Sequence, residues 1–392
     1  MTIGLDVRPF ETVTALAMDR ADILIIGGGI AGASLGAHLA AGQRVMVAEA
    51  ESQPGYHSTG RSAALWHEGY GGPMIAPLTR ASFAFLDSPP ADVAERSFLT
   101  PRSALHLARA GEQVVLVDGV AGQAVDRAGL DALVPGLKPQ WTHGTIEPGM
   151  FEIDVAALHA AFLGAIRRRG GQVATRVRFE SARREGDYWV AMFEDGSTIE
   201  AGMLVNAAGA WADEVASGCG VRPMHIAPKR RTMVQLRVGR ESGLPDNLSE
   251  LPVVFDAGGG FYFKGESGHS LWLSPQDEVD GPACDAAPEE IDMAVAIDRF
   301  EQAVDWSVVR IERSWAGLRS FAPDRLPVYG FDPRQPAFFW CAGQGGFGIQ
   351  TAPAAGALCA AMIEGRMPEV DPAPYDPARF VESDFEASGI TR

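Results

Sequence analysis

Uninterrupted apolar runs alternate with helix-spaced apolar residues at the start, middle and end of this chain. Residues 22–26 (Asp-Ile-Leu-Ile-Ile) form a β-branched run closing on glycines, the pattern of a strand buried on both faces. From Ile30 to Ala41 small and apolar residues recur at helical spacing, and Arg44–Ala48 is a second apolar run ending at Glu49. Together they predict a strand–helix–strand unit. Residues 52–72 are rich in Gly, Ser and His, lack an apolar period and read as a long loop. A helix is expected over 73–86, then a Pro-rich stretch at Ser88–Ala91. Residues 103–117 and 233–272 read as strands with turns between them. Asp154–Arg169 predicts an amphipathic helix capped by Asp154. Residues 173–201 predict a meander with a hairpin turn at Asp195-Gly196. Met203–Val205 predicts a buried strand entering Asn206-Ala207-Ala208-Gly209, and 288–304 a helix. Phe338–Cys341 predicts a strand that runs into Gly343-Gln344-Gly345-Gly346-Phe347-Gly348, then a helix over Gln350–Ile363. The Pro- and Asp-rich stretch 368–377 reads as a surface strap. No internal repeat is visible.

Strand–helix units flanking antiparallel-looking segments imply an α/β fold in two discontinuous parts. One is a Rossmann-like nucleotide-binding domain, three-layered around its βαβ unit, expected over 21–100, 148–225 and 320–380. The other is an inserted α+β domain on a large antiparallel sheet, expected over 101–147 and 226–319. Residues 1–20 read as an N-terminal extension.

Composition narrows the function classes. Of 392 residues, 33 are Lys or Arg and 50 are Asp or Glu, a net charge of −17. That excludes the basic footprint of a nucleic-acid partner and a polybasic membrane anchor. Residues 23–42 have the length of a membrane span, but Gly27, Gly28, Gly29, Gly32 and His38 interrupt them. The first twenty residues hold Asp6, Glu11 and Asp19 and do not resemble a signal peptide. Cys219, Cys284, Cys341 and Cys359 lack zinc or disulfide spacing. Buried thiols, a cytoplasmic setting and no metal site are therefore expected.

Gly27-Gly28-Gly29-Ile30-Ala31-Gly32 fits G-x-G-x-x-G between a strand and a helix. The first glycine makes the turn, the second admits a pyrophosphate, and the third lets helix and strand pack closely. Glu49 ends the next strand, placed to accept hydrogen bonds from a ribose. Dinucleotide binding follows. Two further glycine stretches, 207–209 and 343–348, suit a larger and permanently enclosed dinucleotide, a flavin.

These residues resemble a known family. Gly27–Ser34, His57-Ser58-Thr59-Gly60-Arg61-Ser62-Ala63-Ala64, Asn206–Trp211, Trp315-Ala316-Gly317-Leu318-Arg319 and Gly343–Gln350 are similar to the D-amino-acid oxidase superfamily of FAD enzymes. Among its members the bacterial D-arginine dehydrogenase group is the most similar, over about residues 20–365. The His57–Ala64 and Pro228-Lys229-Arg230-Arg231 stretches carry that narrower likeness. The resemblance implies non-covalent FAD held by Gly27, Gly29, Ile30, Ala31, Gly32, Glu49, Arg61, Ser62, Ala63, Ala64, Phe179, Ala207, Ala208, Gly209, Trp211, Arg319, Gly345, Gly346, Phe347, Gly348, Ile349 and Gln350. It implies a substrate carboxylate held by Arg231 and Arg319, whose planar guanidinium groups match carboxylate geometry. It places Tyr70 and Tyr262 as pocket walls and the Gly346 carbonyl at the substrate amine. Arg230 alternates with Arg231, so one of the two must face elsewhere.

Three positions depart from the pattern. A family glutamate that pairs with a substrate guanidinium falls on Ala104, a histidine on Leu65 and a threonine on His67. Loss of the acid predicts a substrate with a neutral or apolar side chain, and His67 is a candidate polar contact. His57 is expected to be structural rather than a covalent flavin link, and Asp324 stands where sarcosine oxidases carry a flavin-linked cysteine. The expected reaction is hydride transfer from Cα of a D-amino acid to flavin N5. The imino acid then hydrolyses to a 2-oxo acid and ammonia. Alternatives are a secondary amino acid of the sarcosine or D-proline type, a 2-hydroxy acid, or an FAD-binding subunit without turnover of its own. The electron acceptor, whether oxygen, quinone or carrier, is left open.

Overall fold

A computed structural model describes residues 19–240 and 243–380; the expected extension at 1–20 lies almost wholly outside them. In chain order the elements are β1 (Arg20–Ile26), α1 (Ile30–Leu39), β2 (Val45–Glu49), β3 (Leu65–Trp66), α2 (Ala76–Asp87), β4 (Leu99–Arg109), β5 (Gln123–Asp126), α3 (Arg127–Leu133) and β6 (Trp141–Ile153). Next come α4 (Val155–Arg168), β7 (Gln172–Thr175), β8 (Phe179–Glu185), β9 (Tyr188–Phe193), β10 (Thr198–Asn206), α5 (Ala212–Gly218) and β11 (Ala227–Val238). Then follow β12 (Val253–Asp256), β13 (Tyr262–Gly265), β14 (Ser270–Ser274), β15 (Val279–Asp280), α6 (Glu290–Ala303), β16 (Val308–Phe321), β17 (Val328–Phe331), β18 (Phe338–Ala342) and α7 (Gly348–Ile363).

The first sheet runs β17-β18-β10-β1-β2-β7, with β9 and β8 added beside β10. Its centre, β18-β10-β1-β2-β7, is parallel. Alternate residues of β1 enter different cores. Ile23 and Ile25 face α1, α4 and α7, whereas Leu24 and Ile26 face the layer holding α5 and the β8–β9 hairpin. Burial on both faces explains why these strands read as continuous apolar runs. Residues 23–42 are therefore a core strand and a helix followed by a turn. Among the described residues no helix is long and apolar enough to cross a membrane.

The second sheet runs β15-β11-β14-β13-β12-β4-β6-β3, with β16 on β11 and β5 on β6. It is antiparallel except for the β12–β4 pair. One face buries Leu105, Leu107, Val234, Leu236, Phe261 and Phe263 beneath α3 and α6. The other face looks toward the glycine-bearing edge of the first sheet.

Several local expectations need correction. The strand expected over 103–117 is Leu99–Arg109; Gly111 and Gly119 adopt positive φ, and Val115 is 87% exposed, so the later apolar run has no partner. Residues 173–201 are not one meander, because β7 leaves it to lie parallel to β2. The loop over 52–72 contains β3, which pairs with β6. Strand β6 itself is masked in the sequence by Pro148-Gly149. There the ladder slips between Arg102↔Met150 and Ala104↔Glu147, a bulge that tolerates proline. Cys219, Cys341 and Cys359 are buried as expected, but Cys284 is exposed.

Candidate active site

The glycine turn is built by close approach. Gly27 has φ +106°, and a Cβ there would sit 2.4 Å from the Ala207 carbonyl oxygen. A Cβ on Gly32 would sit 2.0 Å from the Gly27 carbonyl oxygen, so only glycine lets α1 start this close to β1. The Gly28 amide donates to Glu49 Oε2 (2.7 Å) and the Glu51 amide to Oε1 (2.8 Å). Burial nevertheless raises the Glu49 carboxyl above its ordinary value. The Ile30 amide donates to Thr59 Oγ1 (3.0 Å), joining the turn to the His57–Ala64 loop. His159 contacts the Gly28 carbonyl oxygen through Nε2 at 2.8 Å.

From this turn a cavity of about 480 Å³ runs along the first sheet and on to the second. Glu49, Phe179 and Trp211 are part of its lining. Gly27, Gly29, Ile30 and Ala31, with Ala207, Ala208 and Gly209, line the middle. Arg61, Ser62, Ala63 and Ala64, with Gly345, Gly346, Gly348, Ile349 and Gln350, line the far part, where Arg231, Tyr262 and Arg319 also open. Helix α7 starts at Gly348 without a side-chain cap, so its first amides and dipole are directed at this part of the cavity. Four expected residues stand outside the lining. Gly32 acts by packing, and Phe347 packs on Tyr70 and Phe321. Tyr70 reaches Arg319 from outside the lining, and His67 meets Glu147. The cavity also takes in Val177, Arg178, Met233 and Gln344, which sequence reasoning missed. Met233 stands two residues from Arg231, hence on the same strand face, and Arg178 adjoins Phe179.

Arg231 and Arg319 come from neighbouring strands. In the β11–β16 ladder Arg231 faces Gly317 and Lys229 faces Arg319, which places the two arginines diagonally on one face. Gly317 leaves room there, since the Arg61 side chain would lie 3.3 Å from a Cβ on it. Arg231 is buried, and its Nε donates to the Asp277 carbonyl oxygen (2.6 Å). Burial first, then the like charge of Arg319, pushes its guanidinium below the ordinary value. Glu278 Oε1, 3.4 Å from Arg231 Nη2, and Asp277 Oδ1, 3.8 Å from Arg231 Nε, offset part of that charge, and an anion bound at the pair would offset more. Arg319 Nη1 donates to the Tyr70 hydroxyl (2.9 Å). A Cβ on Gly346 would meet that hydroxyl at 2.6 Å and Arg319 Nη1 at 3.2 Å. Tyr262 is buried with its hydroxyl 3.2 Å from Met233 Sδ, and burial raises its pKa. Arg230 points the other way, to Glu289 and Asp292 (2.8 Å) beside α6.

The loop residues are tied to the second sheet beside the cavity. Arg61 donates to the carbonyl oxygens of Ala286 (2.8 Å) and Ala316 (3.0 Å) and pairs with Asp285. His57 meets Glu51 Oε1 at 3.1 Å and packs on Trp211, a structural setting. Asp324 accepts from Arg379 (2.7 Å), and no cysteine lines the cavity. Gln350 ties the substrate-side loop, donating to Thr79 Oγ1 (2.8 Å) and the Tyr70 carbonyl oxygen and accepting from the His67 amide (3.3 Å).

The side chain of His67 turns away from the cavity. Its Nε2 lies 2.8 Å from Glu147 Oε2, and His106 Nε2 lies 3.4 Å from the same oxygen. Ala104 faces Glu147 directly across the β4–β6 ladder. The position where the family glutamate falls is alanine, and an acid that the sequence reading did not single out, Glu147, faces it from the opposite strand. Burial works to raise the Glu147 carboxyl, but hydrogen bonds and charge from His106 and His67 outweigh it and hold it at about 2. Phe255 stacks on both imidazoles and, on its other side, on Tyr262. The acid is thus screened from the arginine pair.

A glycine cradle backed by a buried acid, with the cavity continuing beyond it to the second sheet, fits FAD. Comparison with known proteins agrees. The model of the family described as FAD dependent oxidoreductase matches residues 22–362. The chain is 25% identical to glycine oxidase of Pseudomonas aeruginosa over 63% of this chain and 65% of that protein. It is 26% identical to mitochondrial dimethylglycine dehydrogenase of Mus musculus over 92% of this chain but only 44% of that one. It thus spans less than two thirds of these curated relatives. Its fold matches the solved L-proline dehydrogenase of P. horikoshii with TM-score 0.79 and 21% identity, covering 93% of this chain and 98% of that one. These relatives carry the likeness at the level of the family rather than of D-arginine dehydrogenase in particular. The chain belongs to the FAD-dependent oxidoreductases of this family, and its cofactor is FAD.

Proposed function

We propose that this chain oxidises the Cα–N bond of a small amino acid, of D configuration where Cα is chiral, and releases a 2-oxo acid and ammonia. One observation carries the reading: two guanidinium groups on adjacent strands converge with Tyr262 in the cavity beyond the glycine turn, and Tyr70 holds one of them, Arg319, from outside the lining. They clamp the substrate carboxylate and so orient Cα. The Gly346 carbonyl receives an N–H of the amine, and the Tyr262 and Met233 side chains wall off water. Bound FAD, held non-covalently, accepts the two electrons of the oxidation. A neutral side chain is preferred, because Glu147 stands behind Phe255 and is absent from the lining.

A second reading is oxidation of an N-alkylated amino acid. The names of the dimethylglycine and proline relatives favour it, and the same two arginines would serve its carboxylate. Anaerobic bleaching of the flavin separates the two. Glycine and neutral D-amino acids bleach it on the first reading; only sarcosine, dimethylglycine or proline does so on the second. Failure of every amino acid to bleach it would sink both. Arg319→Ala is expected to keep its FAD while KM rises about 100-fold, since removing one partner of a buried charge-assisted pair costs about 2–5 kcal/mol. An unchanged KM removes Arg319 from the substrate site.

A further inference from the structure

Among the described residues Glu147 stands apart from the other acids. Its side chain is 2% exposed, and its ion-pair partners are both imidazoles, His67 and His106. No lysine or arginine pairs with it among the described residues. A carboxylate removed from water calls for a compensating cation. Here two imidazole nitrogens converge on one carboxylate oxygen, at 2.8 and 3.4 Å, and all three ligand atoms lie within 4.8 Å of one another. Ligands of a tetrahedral zinc ion at ~2.0–2.1 Å stand about 3.3 Å apart, so sub-ångström adjustment of the shorter contact brings it to that spacing.

The three side chains come from three segments. His67 follows β3, His106 lies on β4, and Glu147 lies on β6 next to the bulge at Pro148-Gly149. Register fixes two of them, and Phe255 stacks flat on both imidazoles, at interplanar angles of 17° and 19°. The imidazoles are 13% and 14% exposed, more than the acid they face. Two histidines, one carboxylate and an open fourth position form a common zinc ligand set.

We propose that His67, His106 and Glu147 form a binding site for one divalent zinc-class ion, completed by water. The ion pins the loop that carries Tyr70 to the second sheet. The site does not depend on which amine the enzyme oxidises, and its test needs no turnover.

The FAD-loaded protein is stripped with a chelator, dialysed and titrated with zinc alone. One equivalent per chain is expected to bind. His106→Ala and Glu147→Gln are each expected to weaken binding by more than the ~10–100-fold that loss of an outer-shell partner costs. Retained flavin absorbance shows that each variant is folded. If a variant loses its flavin, zinc-edge X-ray absorption of the unaltered protein decides instead. Nitrogen and oxygen ligands with two imidazoles support the site, and sulfur in the shell overturns it by placing the ion on a cysteine. Absence of saturable zinc binding, or binding unaffected in folded variants, overturns it equally.

Discussion

At the scale of single residues, the active end of the cavity works by what glycine omits. Gly346 carries no side chain where Tyr70 and Arg319 meet, and a methyl group there would press on both. Gly346→Ala is expected to retain FAD, because the pressure falls on the substrate side. Its kcat/KM should fall by about 10-fold or more, as an overpacked methyl costs ~1–3 kcal/mol. Steady-state kinetics beside the flavin spectrum check this; an unaltered kcat/KM would mean that the substrate does not pass this point. The glycine turn and Glu49 were legible in the sequence because all their parts lie within one short contiguous unit. The arginine pair was legible only through resemblance, since nothing local distinguishes Arg231 from Arg230; the alternation of β11 makes that choice.

At the scale of elements, one buried and one half-buried histidine make the first domain sensitive to acid. His38 on α1 and His159 on α4 are both held below the ordinary imidazole value of 6.5, mainly by burial. For His38 the charge of Arg169 adds to this. The unfolded chain then binds protons that the folded chain refuses. Their contribution to stability is complete above pH about 6.5 and is lost as pH falls from there toward the folded values. The slope is at most about 1.4 kcal/mol per pH unit for each group. Urea midpoints between pH 8 and 5 should fall with acid, and His159→Gln should flatten the fall. An identical slope in that variant would exclude His159 as a contributor. Elements are also where sequence reasoning lost its hold. Strand β6 was hidden by Pro148-Gly149, and with it Glu147 and its relation to His67 and His106, which are 39 residues apart in sequence. The apolar period reports which face of a strand is buried, but it does not report which strand lies alongside.

At the scale of the whole molecule, a net charge of −17 surrounds a cavity whose far end presents two guanidinium groups. The global field opposes the approach of an anionic substrate, while the local pair holds it once it has arrived. Salt screens the first beyond ~8 Å at physiological ionic strength and barely reaches the second. For a substrate with net negative charge, kcat/KM is therefore expected to rise with ionic strength while kcat stays level. A fall in kcat/KM would show that the local positive field governs capture. The large-scale plan of two sheets with a nucleotide turn at their junction was readable from the order of strand and helix signals. The parallel placement of β7 beside β2 was not, because a four-residue strand carries no sign of its neighbour.

The strand order of the first sheet also sets a timetable. Strand β1 lies between β2, made soon after it, and β10, which begins some 170 residues later; β18 is added only at Phe338–Ala342. During synthesis the glycine turn is therefore an early feature, but its opposite walls at Ala207–Gly209 and Gly345–Gly346 arrive late. A nascent chain has nothing to close on the flavin until β18 and the Gly345–Gly346 stretch have emerged. Completion of the sheet, and of the cavity walls it carries, is therefore expected to be a late event governed by long-range pairing.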